Sequence, residues 1–507
     1  MKRIFATIGL SATLLAGACS GDEQLPTGMS AAVQPAGKPV AGLKITPSQL
    51  SLSEIGTTAT LTASQAAGPV VVTVSNPACV SVAPKTQKNQ SKFTVTTTAA
   101  GSCTLSVNDG VGNVQVPVTV TVTTTTLVPT TLAAGLFHTC GLDATGAAYC
   151  WGNNSYGQLG NSATAGSVFA NPTPAAVAGG LTFTSLTAGH RHTCGLTAAG
   201  AAWCWGVNLY GQLGNPTNSG VEFEENTTPL PVSGNLTFTE LSAGTEHTCG
   251  LTAQGVLYCW GNNFTGQLGR TENNNAILPN PTPTPVDGGL TFAAFSPGAS
   301  HTCGITSGGV VYCWGDNYFG QLGNPNNVAQ ENVAHPTPTV VQGVPAVVSI
   351  IAGNHTCGLT SAGAAWCWGS NQTGQLGAET PDVREPTPVA VSGGFSFVSL
   401  GAGGGHTCGL VAGGTVYCWG GNLLGQLGTT TNLGTTNPNY SPTAVNGISL
   451  VALAIDAAHT CGLTAAGQAW CWGYNRYGQL GNTTNNDTDT GVATPTAVIG
   501  GLTFATP

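Results

Sequence analysis

His138-Thr139-Cys140-Gly141-Leu142, then Ala147-Ala148-Tyr149-Cys150-Trp151-Gly152, then Gly157-Gln158-Leu159-Gly160 is the stretch that decides the fold, because variants of it occur seven times. The His-Thr-Cys-Gly units begin at His138, His192, His247, His301, His355, His406 and His459, a period of 51 to 55 residues. A unit of that length cannot bury its apolar face alone, and such periods belong to propellers or solenoids. Within one copy the two Cys-bearing segments read as adjacent strands. The loop Ala144-Thr145-Gly146 between them fits a type I turn closed by a left-handed glycine. That loop sets Asp143 opposite Ala147, so Cys140 faces Cys150 in a non-hydrogen-bonded pair, where a cross-strand disulfide fits.

The ten-residue offset recurs as Cys194 and Cys204, Cys249 and Cys259, Cys303 and Cys313, Cys357 and Cys367, Cys408 and Cys418, and Cys461 and Cys471. Of the 17 cysteines, Cys79 and Cys103 remain as an eighth pair, and Cys19 stands alone. Complete pairing points to an oxidising compartment. His-x-Cys with a second Cys also resembles a metal-ligand set, but bridged sulfurs are not thiolate ligands, so no metal or other cofactor is expected. The seven histidines are expected to be packed and hydrogen-bonded rather than catalytic. Asn154, Asn208, Asn263, Asn317, Asn371, Asn422 and Asn475, each three residues before Gly-Gln-Leu-Gly, are read as left-handed turn formers. The glutamine is expected to satisfy backbone groups of this turn and the leucine to enter the core. The glycines lack the lysine and the strand-to-helix setting of a phosphate loop.

Only 6% of the 507 residues are charged, while 73 are Gly and 30 are Pro, a composition of strands and turns rather than long helices. A net charge of −9 leaves no basic surface for a phosphate backbone, which excludes nucleic acid as a partner. Residues 1–18 read as an export signal: Lys2 and Arg3, an apolar run from Ile4 to Leu15, then Ala16-Gly17-Ala18 before Cys19. Leu15 to Cys19 resembles a bacterial lipobox with its leucine one place early, which makes Cys19 the expected lipidated terminus of an outer-membrane or cell-surface lipoprotein. Removal of Lys2 and Arg3 leaves nine basic against twenty acidic residues, a charge of −11. Residues 19–42 mix Gly, Pro, Ala and Ser as a flexible tether. Residues 43–123 alternate apolar and polar, as in Leu61 and Ala63, Val70 to Val74 and Val116 to Val122, and read as a β-sandwich. Ser75-Asn76-Pro77 and the strand from Val114 resemble bacterial immunoglobulin-like domains.

Residues 127–507 are similar to the regulator of chromosome condensation repeat family, through Ala-Gly-x-x-His-Thr, Leu-Thr-x-x-Gly-x-x-Tyr/Trp-x-Trp-Gly and Asn-x-x-Gly-Gln-Leu-Gly. The expected architecture is all-β: a seven-bladed β-propeller preceded by a small immunoglobulin-like sandwich. Leu502-Thr503-Phe504 repeats Leu181-Thr182-Phe183, so the last residues are expected to pair within the first blade and close the circle. The resemblance also implies guanine-nucleotide exchange, but small GTPases lie inside cells, away from an exported chain, and fold does not carry function.

Segments that differ from copy to copy follow each Gly-Gln-Leu-Gly, and a ring gathers them on one side. Candidate binding positions there are Glu222, Phe223, Glu224, Glu225, Arg270, Asp382, Arg384, Asp487 and Asp489. Asp487-x-Asp489-x-Gly491 hints at calcium but lacks the glutamate of an EF-hand loop. The expected function is a non-catalytic envelope scaffold that binds a protein or glycan at the cell surface and meets the membrane only through its lipid. An exported enzyme with a propeller-centred site is the rival; His190 and His335 are the only histidines outside the sevenfold set.

Overall fold

The computed structural model of the chain describes residues 43–52, 58–66, 68–75, 80–83, 86–87, 91–97, 101–120, 131–221, 224–326, 328–330 and 333–506. The expected signal, tether and Cys19 lie outside the described residues, as do Cys79, Glu222 and Phe223. All regular elements among the described residues are β-strands.

Between residues 43 and 120 two sheets share one core. One orders its strands Lys44–Thr46, Thr58–Ser64, Ser91–Thr97, Val80–Ala83; the other Leu50–Leu52, Asn113–Val120, Gly101–Asn108, Val70–Val74, Thr86–Gln87. Alternation does the work: Leu61, Ala63, Phe93 and Val95 of the first sheet meet Val70, Val72, Leu105 and Val116 of the second, all buried. Cys103 is buried in this core and disulfide-bonded.

From Thr131 onward the chain forms seven four-stranded antiparallel sheets, each built from one contiguous stretch with its strands side by side in chain order. The first comprises Leu132–Ala134, His138–Leu142, Ala148–Gly152 and Ala175–Ala176. First strands of successive sheets touch in turn, and Ala452–Ile455 of the last touches Leu132–Ala134 of the first, so the sheets close into a ring around a channel.

In each central hairpin the glycine adopts the left-handed backbone, φ +83° at Gly146, which a Cβ would strain. The resulting register pairs Asp143 with Ala147 through the bond from Asp143 N–H to Ala147 C=O, 3.0 Å, and sets Cys140 opposite Cys150. Seven disulfides span these pairs, from Cys140–Cys150 to Cys461–Cys471, with Cα atoms 4.1 to 4.2 Å apart.

Neighbouring sheets are joined by one repeated device. The Gln158 carbonyl of the first sheet accepts from the Thr193 hydroxyl (3.0 Å) and the Trp205 indole (2.9 Å) of the second. Thr193 has then donated its only proton, so the His138 Nε2 atom 2.7 Å from its oxygen must be the donor. Each histidine is thereby held as the Nε2–H tautomer. The same triad links His192 to Thr248, His247 to Thr302, His301 to Thr356, His355 to Thr407, His406 to Thr460 and, across the seam, His459 to Thr139.

The C-terminus completes the seam without adding a strand to the first sheet. Phe183 hydrogen-bonds to Gly146 C=O and stacks beside Trp205 at 5.9 Å. Phe504 repeats this, bonding to Gly467 C=O in the last sheet and lying 5.7 Å from Trp151 in the first. It also forms an isolated bridge with Asp143, and Ala505 N–H donates to Leu142 C=O, 2.8 Å. The Thr131 hydroxyl donates to Ala505 C=O, 2.5 Å.

Candidate functional site

Antiparallel order assigns the two sides of the ring. Turns from first to second strand and the long loops from third to fourth strand lie on one side; the central hairpins lie on the other. Backbone bonds tie the two kinds of loop together: Asn153 N–H donates to Phe137 C=O, Val207 to Arg191, Asn262 to Glu246 and Asp316 to Ser300.

The repeated asparagine builds the long loop by a different route from the expected one. None of the seven has a positive φ. Instead the side chain bridges the turn: Asn154 Oδ1 accepts from Leu159 N–H, 3.0 Å, and its Nδ2 donates to Asn161 C=O, 3.1 Å. An amide that both accepts and donates closes the loop across seven residues, which left-handed backbone alone does not do. The glutamine acts as expected, Gln158 Oε1 accepting from Tyr156 N–H at 2.9 Å, and Leu159 is buried.

These braced loops hold a set of half-buried aromatics on the loop side of the ring: Tyr156, Tyr210, Phe264, Tyr318, Phe319 and Tyr477. Arg191 lies 4.9 Å over the Tyr156 ring and Arg384 4.7 Å over that of Tyr318, whose hydroxyl accepts from Arg384 Nη2 at 2.9 Å. Phe137, Tyr474 and Tyr477 cluster with centroids 5.0 to 6.3 Å apart. Farther out, the varied loops expose Phe169 (74%) and Ile277 (73%), with Val168, Val221, Leu278 and Val383 also exposed.

The expected binding positions separate on this surface. Glu224, Asp382, Asp487 and Asp489 are exposed, and Glu225 and Arg384 are half-buried. Arg270 is not a surface residue: it is 5% exposed and its Nη1 donates to Cys259 C=O, 3.1 Å. Its guanidinium braces its own sheet because the residue follows Gly269 directly into the core side of the loop. Asp489 gives both carboxylate oxygens to Arg476 (2.8 and 2.9 Å), one also accepting from Tyr474 Oη. That engagement holds the Asp489 carboxyl below its ordinary range. No three His, Cys, Asp or Glu side chains stand close enough to hold a metal among the described residues.

The seven triad histidines are fully buried, and burial pushes each down to about 3. Their Nδ1 atoms have no hydrogen-bond partner, so protonation there would bury an unpaired N–H. They are neutral structural groups. His335 sits on an outer strand, His335–Val340, whereas His190 lies at the loop-side mouth of the channel. Sequence reading passed over that mouth. A narrow cavity of about 160 Å³ opens there, lined by residues of all seven sheets, among them His190, Thr245, Asn354 and Asp456. At the hairpin side a second cavity of about 330 Å³ contains Glu240, which burial pushes up to about 8.

The sequence pattern of the RCC1-like domain matches residues 165–505, and that of the regulator of chromosome condensation (RCC1) repeat matches residues 130–158. The chain belongs to the RCC1-like domain family. Among relatives, the ultraviolet-B receptor UVR8 of Arabidopsis thaliana is 28% identical over 358 residues, covering 69% of this chain and 78% of the receptor. The E3 ubiquitin-protein ligase HERC2 of Homo sapiens is also 28% identical, over 70% of this chain but only 7% of the ligase. The crystal structure of Prp20p from Saccharomyces cerevisiae matches the fold with a TM-score of 0.60 at 23% identity, covering 71% of this chain and 87% of that one. Human WBSCR16 gives 0.60 at 22%, covering 70% and 95%. These two likenesses concern the fold alone. In the RCC1-like ring here every sheet carries a disulfide.

Proposed function

We propose that this protein is an exported, lipid-anchored, non-catalytic binding scaffold: a seven-bladed RCC1-like propeller on an immunoglobulin-like spacer, docking a protein partner through its loop side. The observation that carries the reading is the set of half-buried aromatics in the loops of one side. Tyrosine and phenylalanine backed by arginine, surrounded by exposed aliphatic side chains, is the composition of protein-binding hot spots rather than of a solvated rim. Such side chains lose little rotamer entropy on docking because their neighbours already hold them. The structure of Prp20p is described together with its binding to Gsp1p and histones, and a second yeast RCC1 structure has Kap60 bound to it. Protein docking is the property extended here, not the identity of those partners. Export is supported by the segment before Cys19 and by the paired cysteines of every sheet.

Crosslinking and capture from intact cells tests the docking side. A stoichiometric protein partner retained by the full chain and lost in a Tyr318→Ala/Ile277→Ala/Phe169→Ala variant is the expected result. Val310→Ala, on the hairpin side, leaves capture unchanged. Capture that survives the loop-side changes, or a ligand that proves to be a glycan, overturns the reading.

A further inference from the structure

The turn from first to second strand contains a glycine three residues before the histidine in five sheets, Gly135, Gly189, Gly244, Gly298 and Gly403, and two residues before it in the fifth sheet, Gly353. A Cβ on each would lie 2.1 to 2.6 Å from the backbone oxygen of the next sheet's turn, a contact real atoms do not make. The seventh sheet places Asp456 at this crowded position. Its Cβ therefore stands where the ring elsewhere excludes one.

Asp456 keeps part of its surface and lines the loop-side cavity, and its carboxylate accepts one hydrogen bond, from the backbone N–H of Ala457. No lysine or arginine lines the cavity with it. Partial burial pushes its carboxyl up to about 7, with no such cation among the residues that line the cavity to draw it back down. Around it are acceptors without formal charge: Asn354, Thr245 and His190, which burial first and Arg191 second push down to about 4 and so keep neutral. Alanines from several sheets, such as Ala188, Ala243 and Ala352, form an apolar collar.

We infer that the loop-side mouth of the channel is a binding site for a single alkylammonium or guanidinium group, its charge met by Asp456 and its methylene stem by the alanine collar. The cavity of about 160 Å³ has room for one such group. The site rests on the loop-side reading only for the source of the cation: a lysine or arginine side chain of the docked partner, or a free amine.

Ligand-observed NMR titration of the full chain with n-butylammonium, against 1-pentanol as the neutral counterpart, tests it. Saturable single-site binding of the ammonium and none of the alcohol is expected. Asp456→Gly, which restores the residue the other sheets carry and so preserves the fold, lowers affinity at least tenfold; Glu240→Gln in the opposite cavity does not. No saturation, equal binding by Asp456→Gly, or loss only in Glu240→Gln overturns the assignment. Because no partner enters this titration, failure of the docking reading leaves its result intact. Partner capture abolished by saturating n-butylammonium assigns the cation to the partner's side chain; unaffected capture assigns it to a free amine.

Discussion

His459 Nε2 lies 2.9 Å from the hydroxyl of Thr139, 320 residues earlier in the chain. This bond repeats across the seam between last and first sheets the contact that joins every other pair. Thr139 also donates to Gln479 C=O (2.9 Å), beside the Trp151 indole (3.0 Å), so the seam is built like the six other junctions.

Equivalence of the junctions makes Thr139→Val and Thr193→Val comparable. Each removes a hydroxyl that accepts from a buried histidine and donates to a buried carbonyl; the carbonyl keeps its indole donor while the histidine N–H is left unpaired, at a cost of about 1 to 3 kcal/mol. Urea denaturation is expected to give losses equal within about 0.5 kcal/mol. A much smaller loss for Thr139→Val would mean that the seam is open in solution.

Phe504→Ala tests the C-terminal plug. The ring is 4% exposed and packs against Trp151 and Gly141, so truncation costs about 3 to 5 kcal/mol. Limited proteolysis of the variant should begin near its terminus, and unchanged stability would dismiss the closing role.

Acid should unfold the ring. Each triad histidine has a folded value of about 3 against about 6.5 unfolded, so its contribution is complete above pH 6.5 and lost as the pH falls toward 3. Below 6.5 each adds a slope approaching about 1.4 kcal/mol per pH unit. Glu240 and Asp456, raised by burial, favour the fold at low pH and oppose it as pH rises through about 7 to 8, but two groups do not offset seven. Urea midpoints measured from pH 7 to 4 should fall steeply; a flat profile would contradict neutral buried imidazoles. Long-range ¹⁵N spectra should show the Nε2–H tautomer for all seven.

Every hairpin sulfur is fully buried, so reductant should reach the bridges only after unfolding. Alkylation followed by mass mapping is expected to leave the fourteen hairpin cysteines unlabelled in the native protein under reducing conditions and to label them in urea. Replacing Cys140 and Cys150 together by serine should cost at most about 3 kcal/mol for so short a ring. Free thiols in protein taken directly from cells would remove the support that the cysteines lend to export.

Residue spacing made the hairpins legible. The position of Gly146 dictates the Cys140–Cys150 register through local turn geometry, and the duplicated Leu-Thr-Phe anticipates Phe504 on the first sheet. Arg270 reads as solvated because it is a charged residue in a varied segment, whereas the fold lays its guanidinium against the Cys259 carbonyl. The asparagine's role was half legible: its presence in a turn is a local signal, while the bridging amide depends on the path of the loop seven residues on.

By itself the sequence determined the central hairpin of each unit: its strand pairing, turn type and disulfide partners, all set by interactions within about fifteen residues. Tertiary structure alone decided what the units make together. The His–Thr–Gln triads join residues 32 to 340 positions apart, and the Asp456 mouth gathers side chains from sheets far apart in sequence. No periodicity reveals those meetings, because a closed ring brings together positions that the linear order keeps separate.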